Sequence, residues 1–207
     1  MKFLAGCLTA LLLTLSFAPL AVAHFKLLEP ESWLVEATNG DPQKAAPCGG
    51  TSQNPGTPSN MVGKIKGGTK LHLKVQETVF HPGHYRIALA VNSRAELPKD
   101  PEVMTMPGAR GPQSVSAAIM NPVKPPVLVD GIFAHTERPA AGATLPPWET
   151  DLDIPNISCT KCTLQIIQFM AQHGLNADGD FSYHHCADLQ ITADPAKPTA
   201  TGWPAAK

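Results

Sequence analysis

The chain has 207 residues, with 16 lysine and arginine residues against 17 aspartate and glutamate residues, so it lacks the basic excess that suits nucleic acid. Charged residues make up only 16 %, whereas 21 prolines and 16 glycines interrupt the chain. So many helix-breaking residues argue against a helical bundle and favour strands with long ordered loops.

Residues 1–23 have the organisation of a signal peptide. Lys2 gives a positive start, residues 4–20 are mostly apolar, and Ala-Val-Ala at 21–23 is a small-x-small cleavage site. Polar residues and a proline break the apolar stretch and no second one follows, which argues against a membrane-spanning protein. Cleavage leaves 207 − 23 = 184 residues that begin at His24. We therefore expect a secreted or periplasmic monomer of one domain, without membrane association once the signal is removed.

The N-terminal half of the mature chain predicts a long loop region followed by two strands. Residues 24–68 have little hydrophobic periodicity and are rich in proline, glycine, asparagine and threonine. Apolar and polar residues alternate over 71–76 and again over 85–91, which predicts two half-buried strands. The residues Phe-His-Pro-Gly at 80–83 have turn composition, so we expect the two strands to form a hairpin.

The C-terminal half contains three segments with strand patterns, namely 127–133, 163–170 and 187–192. The proline-rich stretch 97–155 is otherwise expected to be loop, and residues 194–207 are expected to be a flexible tail. No internal repeat is present. Short strands with turn-rich connections predict an all-β fold, an immunoglobulin/fibronectin III-like antiparallel β-sandwich with long loops over residues 24–193.

Removal of the signal peptide with Cys7 leaves four cysteines, namely Cys48, Cys159, Cys162 and Cys186. An even number of cysteines in an exported chain predicts two disulfides. We prefer Cys48 with Cys186, which would staple the N-terminal loop region to the last strand, and Cys159 with Cys162. Four cysteines allow three pairings, and the sequence does not choose among them. The alternative for Cys159-x-x-Cys162 is a redox pair or half of a zinc site, but no thioredoxin-like βαβ pattern and no second such motif accompanies it.

Cleavage would make His24 the N-terminal residue. Its free amino group and its ring Nδ1 can close a chelate ring on a metal, and a second imidazole would complete a T-shaped set of three nitrogens. Cu(II) favours tetragonal nitrogen coordination and stands at the top of the divalent affinity order. Such a site is called a histidine brace; the alternative is that a histidine follows the cleavage site by chance.

Three other features favour the brace. His81 lies in the predicted turn, where the rim of a sandwich can present an imidazole to the terminus. Tyr183 precedes Cys186 by three residues, so a disulfide would hold it rigidly near the last strand. Cys48 follows His24 by 24 residues, so a bridge from it would anchor the N-terminal segment. Each has a simpler explanation, since a turn histidine is usually solvated and Tyr183 could be ordinary core.

Four motifs carry a resemblance to a known family: HFKLLEP at 24–30, His81-x-Gly83-x-Tyr85, CTKCTLQ at 159–165, and YHHCAD at 183–188. With these motifs the chain resembles the lytic polysaccharide monooxygenases, and among them the bacterial monooxygenase-like proteins with a chitin-binding-type sandwich. The motifs span most of the mature chain, and the loops between them are not recognisable.

The resemblance implies one copper ion that changes between Cu(II) and Cu(I). His24 and His81 would supply its nitrogens, Tyr183 would fill the axial position, and His173 would hydrogen-bond the oxygen species beside the metal. His84 is the rival to His81, because both flank the same turn. The adjacent histidines at 184 and 185 depart from the better-known forms and leave open whether the site is a simple three-nitrogen one.

The resemblance further implies oxidative cleavage of glycosidic linkages in chitin, cellulose or a related glycan, with an external electron donor. Tyr85, Trp33 and Trp148 are the candidate aromatic residues for binding a polysaccharide, with core or loop packing as the alternative for each. Two competing functions remain open at this point. One is a copper-binding or copper-carrier protein without oxidative activity, and the other is a carbohydrate-binding sandwich without a metal.

Overall fold

Strands dominate the computed structural model, which describes residues 24–140 and 142–206. They are β1 (His24–Glu29), β2 (Val62–Lys66), β3 (Lys70–Val79), β4 (Gly83–Ala90), β5 (Val103–Gly108), β6 (Gly111–Ala117), β7 (Val127–His135), β8 (Trp148–Asp153), β9 (Cys159–Met170) and β10 (Ser182–Thr192), with a short 3₁₀ helix at Arg94–Glu96. The expected signal peptide at 1–23 lies outside the described residues. Within the described residues, none of the helical structure could cross a membrane.

Two sheets form the body of the fold. One has three strands in the order β1-β3-β8, and the other has five in the order β2-β10-β9-β4-β7. Their pairings are antiparallel except between β2 and β10, which run parallel. A separate hairpin is made by β5 and β6. The predicted all-β fold is thus confirmed, with one parallel edge in place of a fully antiparallel arrangement.

The core lies between the two sheets, where alternate residues of each strand meet. The three-stranded sheet contributes Phe25, Leu73 and Val75, and the five-stranded sheet contributes buried residues on β4, β9 and β10 such as Ile87 and Ile166. Because side chains alternate across a strand, these same strands also present polar residues on their outer faces. The two sheets therefore pack as the layers of a sandwich.

One of two disulfides ties a loop outside the sheets to the sandwich, and the other lies within β9. Cys48 is bonded to Cys186, and Cys159 is bonded to Cys162, which confirms both preferred pairings. The first bridge fastens the N-terminal loop to β10. The expected flexible tail lies against the sandwich: the side-chain amide of Asn156 donates to the backbone carbonyls of Asp194, Lys197 and Pro198.

The expected hairpin between the two early strands is wrong. β3 pairs with β1 and β8, whereas β4 pairs with β7 and β9 in the other sheet. The segment 80–82 therefore crosses from one sheet to the other at one end of the sandwich. Both strands show alternating apolar residues because each borders the core. Two strands that pair in one sheet and two strands that face each other across the core have the same alternation, so the pattern does not distinguish a hairpin from a crossing between sheets.

Several strands were predicted to be loop. β1 and β2 lie within 24–68, and β5, β6 and β8 lie within 97–155. These strands are at sheet edges or in the small hairpin. Only a few of their residues reach the core, such as Phe25 and Leu27 on β1 and Leu152 on β8, so the apolar pattern of each strand is short. The last strand also begins earlier than expected, so Tyr183 lies inside β10 and not before it.

Candidate functional site

Strand pairing brings His24 to the turn that carries His81. His24 is the first residue of β1, and its partner across the sheet is Val79, the last residue of β3. His81 follows Val79 by two residues, so both histidines lie at the same end of the sandwich. Gly83 closes the turn against β9, since a Cβ at this position would collide with the carbonyl oxygen of Phe169.

Four aromatic rings meet at this end. The ring centroids of His24 and Tyr183 are 5.5 Å apart, those of Tyr183 and His173 are 6.0 Å apart, and those of His173 and His81 are 4.9 Å apart. All three contacts are edge-to-face. The residues predicted to form the site are therefore assembled in one contiguous cluster, which we call the histidine cluster (His24, His81, His173 and Tyr183).

A carboxylate that the sequence analysis did not single out orients His24. Oδ2 of Asp41 lies 3.1 Å from Nε2 of His24. A carboxylate accepts hydrogen bonds, so Nε2 carries the hydrogen and Nδ1 holds the lone pair of the neutral ring. Nδ1 is the nitrogen that a chelate with the terminal amino group requires, and carboxylate support of this kind is common behind metal-binding histidines.

The loop that carries Asp41 is pressed against the start of β1. The backbone N–H of Phe25 donates to Oε1 of the fully buried Gln43 at 3.0 Å. Gly40 has a φ of +100°, and a Cβ there would collide with the carbonyl oxygen of Phe25. A glycine is thus needed immediately before Asp41 for the loop to approach His24 this closely.

The ring of His81 has the opposite tautomer. Its Nδ1 lies 3.2 Å from the carbonyl oxygen of Ala171, so Nδ1 donates and Nε2 holds the lone pair. The backbone of the same residue is also held, because the carbonyl oxygen of His81 accepts a hydrogen bond from Nε2 of His135 at 2.6 Å. The position of His81 is therefore fixed through both its ring and its main chain.

His173 lies in the loop between β9 and β10 and presents an unpaired acceptor. Its Nδ1 donates to the carbonyl oxygen of Gly174 at 2.6 Å, so Nε2 holds the lone pair. Nε2 is buried and has no hydrogen-bond partner among the described residues. Burial and the proximity of His81 lower the pKa of His173 to about 4, so this ring is neutral at neutral pH.

Tyr183 is almost completely buried beside His24, with a relative exposure of 1 %. Burial, together with the negative charge of Asp41, raises the pKa of its phenol well above the usual value. The phenol therefore stays protonated at neutral pH. It is a neutral wall of the cluster and not a phenolate.

His84, the rival of His81, lies elsewhere. Its neighbour Tyr85 faces the core, so the alternation along β4 turns His84 to the outer face, where its ring contacts Phe169 and approaches Asp130 at 4.0 Å. Burial lowers its pKa. The structure thus brings His81, and not His84, against His173.

The two adjacent histidines of β10 make structural contacts on opposite faces. His184 has Nδ1 at 3.2 Å from the carbonyl oxygen of Lys44 and Nε2 at 2.9 Å from Asp100. His185 has Nε2 at 3.0 Å from the carbonyl oxygen of Phe25 and Nδ1 at 3.1 Å from Glu36. Neither ring joins the histidine cluster.

The three candidate aromatic residues differ in exposure. Tyr85 is fully buried and its hydroxyl donates to Glu77 at 3.1 Å, so its assignment to substrate binding is wrong and the core-packing alternative is correct. Trp33 is half-buried beside the Cys48 disulfide, with the guanidinium carbon of Arg94 3.6 Å from its ring centre. Trp148 is half-buried near the His81 turn and keeps an accessible surface.

A buried ion pair lies behind the His81 turn. Oε1 of Glu77 is 3.0 Å from Nε2 of His135 and also accepts from Tyr85 and from Gln168 at 2.8 Å. Nδ1 of His135 donates to the carbonyl oxygen of Phe133 at 2.7 Å. Burial by itself would lower the pKa of His135, but its hydrogen bonds and the nearby charge of Glu77 outweigh burial and raise the pKa above its usual value.

Sequence reasoning missed Asp41, Glu77 and His135. Asp41 sits in a Gly-Asp-Pro turn, which has ordinary loop composition, and Glu77 sits on the core face of β3, where a charged residue breaks the apolar alternation. That break was the one usable signal, because a buried carboxylate requires a partner.

The arrangement offers two oriented imidazoles and a buried acceptor around one end of β1. Among the described residues, no three His, Cys, Asp or Glu side chains converge as a ready metal site. The brace needs only two imidazoles, because its third nitrogen is the amino group that cleavage would create. The tautomers of His24 and His81 fit this donor set. Comparison with protein-family models gives no match for the chain, and comparison with curated proteins gives none either.

Proposed function

We propose that the mature chain, beginning at His24, is an exported copper protein of the histidine-brace type that oxidises a polysaccharide. The observation that supports this most is the histidine cluster itself. The rings of His24, Tyr183, His173 and His81 contact one another in that order, and the centroids of successive rings are at most 6.0 Å apart. The tautomers of the two proposed ligands leave the required nitrogens, Nδ1 of His24 and Nε2 of His81, with lone pairs.

The proposed ligands are the amino group and Nδ1 of His24 and Nε2 of His81. Three nitrogens of this kind suit copper in both of its common oxidation states. Bound copper would supply the redox chemistry by which a sugar C–H bond beside a glycosidic linkage is hydroxylated, with peroxide as oxidant and water as the second product. An external donor would first reduce the metal.

The other residues around the proposed ligands orient His24, keep water from it and offer a hydrogen-bond acceptor. The carboxylate of Asp41 keeps the hydrogen of His24 on Nε2, so that Nδ1 points away from the carboxylate. Tyr183 fills the space beside His24 with a protonated phenol and keeps water from that side. His173 is neutral and can accept a proton or a hydrogen bond at Nε2, the atom that has no partner among the described residues.

The burial of the cluster favours a second candidate function. The exposed fractions are 6 % for His24, 3 % for His81, 8 % for His173 and 1 % for Tyr183. A polysaccharide oxidase needs its metal open to a large substrate, whereas a copper-binding or carrier protein does not. A non-catalytic periplasmic or extracellular copper carrier is therefore the alternative.

Calorimetric titration with Cu(II) tests the brace. Protein with a His24 terminus verified by mass analysis should bind one copper ion tightly. The matched control retains Ala23, which removes the free amino group from His24, and we expect its affinity to be lower by more than about 100-fold, because loss of outer-shell support alone costs 10–100-fold. Equal affinity of the two proteins would exclude the brace.

Product analysis separates the two candidate functions. Copper-loaded protein with a reductant and peroxide is incubated with chitin, cellulose and other glycans, and released oligosaccharides are examined for oxidised ends. Oxidised products that require both copper and reductant support the oxidase. Tight copper binding without any such products favours the carrier.

A further inference from the structure

A cavity of about 450 Å³ opens beside the turn that carries His81. Its walls are mainly apolar and include Phe80, Pro139 and Trp148, and its polar residues are Glu77, His135, Thr136 and Glu137. We call it the Trp148 cavity. It is within the size range of small-molecule sites, which combine apolar walls with a few placed polar groups.

The aromatic wall is held rigidly. The indole of Trp148 stacks on Phe133 and His135, with centroid distances of 5.8 and 5.3 Å and interplanar angles of 25° and 22°. Phe133 and His135 are two residues apart on β7 and so share one side of that strand. They support one side of the indole, and the accessible surface of Trp148 lines the cavity.

The polar part is a carboxylate with one oxygen committed and one available. Oε1 of Glu77 accepts hydrogen bonds from Tyr85 and Gln168 and lies 3.0 Å from Nε2 of His135. No described residue donates a hydrogen bond to Oε2. Because these contacts to Oε1 fix the carboxylate in place, Oε2 is an oriented acceptor that a ligand hydroxyl can use.

The shape of the cavity and its acceptor indicate the kind of ligand. Oε1 of Glu77 lies 3.0 Å from Nε2 of His135, and Glu137 is a second carboxyl side chain in the lining. A flat apolar face for a ring together with one oriented acceptor suits a ring that carries hydroxyl groups, and a cation is the competing ligand that the test below includes.

We propose that the Trp148 cavity binds a single neutral sugar ring, which stacks on Trp148 and donates a hydroxyl hydrogen to Oε2 of Glu77. This rests on the proposed function in one respect: the cavity adjoins His81 through the hydrogen bond from His135, so the ring it holds would be the end of a glycan chain brought to the copper. The substrate is then a chain end or a soluble oligosaccharide and not a flat crystalline face.

Calorimetry and tryptophan fluorescence on copper-free protein test the sugar site. The probes are glucose, N-acetylglucosamine, cellobiose and chitobiose, with choline and phenol as the cationic and aromatic comparisons. We expect saturable binding of at least one sugar, and replacement Trp148→Ala to weaken it roughly tenfold or more. A disaccharide that binds better than its monosaccharide identifies a chain end, and equal binding identifies a free sugar.

Two further variants keep the test decisive. Leu145→Trp fills the cavity without removing a buried partner and should also abolish sugar binding. Trp203→Ala is the control: it removes a tryptophan that packs elsewhere on the core and should bind sugar as the wild type does. The proposal is overturned if no sugar binds, if only choline or phenol binds, or if Leu145→Trp binds normally. Sugar binding without copper binding would instead count against the copper function alone.

Discussion

Six of the eight histidines fall into two groups with different hydrogen-bonding patterns. Those of the candidate site each donate through one ring nitrogen to a described acceptor: His24, His81 and His173. The second group has a described polar partner at each ring nitrogen: His135, His184 and His185. Both groups are buried, so burial alone does not distinguish them.

The difference shows which rings can do chemistry. A ring with a polar partner at each nitrogen is committed to holding its neighbours and has no nitrogen left over to bind a metal. A ring with one donating nitrogen keeps a basic nitrogen whose direction is set by the donated bond. The following four predictions test whether the first group is functional and the second structural.

Replacing His81 by alanine should produce the largest change. We expect the affinity of the mature protein for Cu(II) to fall by at least about 100-fold, because a ligand is lost and outer-shell losses alone cost 10–100-fold. Calorimetric titration measures it. His84→Ala is the matched control, since His84 lies on the outer face of β4, and should bind copper normally. The reverse result would show that the wrong histidine has been identified.

Replacing His185 by alanine should lower stability instead. The ring bridges the carbonyl oxygen of Phe25 and the carboxyl of Glu36, and its loss leaves buried polar groups unpaired. We expect the free energy of unfolding in urea to fall by about 2–3 kcal/mol. His72→Ala, at an exposed ion pair on β3, should change it far less. Equal effects would argue against the structural role.

Replacing Asp41 by alanine tests the orientation of His24. Without the carboxylate the ring loses its fixed tautomer, and we expect copper affinity to fall 10–100-fold. Asp41→Asn retains an acceptor oxygen and should lose less. Titration of both variants, each with a verified His24 terminus, makes the comparison; wild-type affinity in Asp41→Ala would show that Asp41 does not support the site.

The last prediction concerns pH, and its effect is spread over more than two pH units. His173 takes up a proton near pH 4 in the folded protein and near pH 6.5 when unfolded, so the unfolded state binds more protons between these values. The free energy of unfolding of metal-free protein should therefore decrease as pH falls from 6.5 to 4, by at most about 1.4 kcal/mol per pH unit from this group. His173→Gln should reduce the slope, and an unchanged slope would contradict the assignment.

The buried pair of Glu36 and His185 should not obscure that test. Burial raises the pKa of Glu36 to about 7 and lowers the pKa of His185 to about 4. Between pH 4.5 and 6.5 the folded pair holds one proton, on Glu36, and the unfolded pair also holds one, on His185. The proton count is equal in both states, so this pair adds almost no pH dependence there.

The sequence predicted most of the strands that border the core. β3, β4 and the later part of β10 were predicted from alternating apolar residues, and β9 was predicted from an apolar, β-branched run; β7 was predicted as well. β1, β2 and β8 were not predicted because they are short edge strands or lie among prolines and polar residues. The pairing partners of β3 and β4 were not predicted either, since period-two patterning indicates which residues face the core and not which strand lies alongside.

The site was predicted only in part, because the contacts that support it also depend on pairing between distant segments. His24, His81, His173 and Tyr183 were identified from the cleavage site and from motifs, and they do come together. Their supporting residues were not identified, because contacts such as Asp41 with His24 or His135 with His81 join loops and strand ends far apart in sequence.

By itself, the sequence determined the all-β character and the four cysteines that form the two disulfides, and it predicted that cleavage would make His24 the N-terminal residue. Only the tertiary structure decided that His81 and not His84 approaches His173, that Asp41 holds His24, and that Glu77 and His135 lie behind the turn. The physical reason is sheet register. Neighbouring residues of a strand face opposite sides, so which histidine meets which partner depends on pairings between strands that no local pattern encodes.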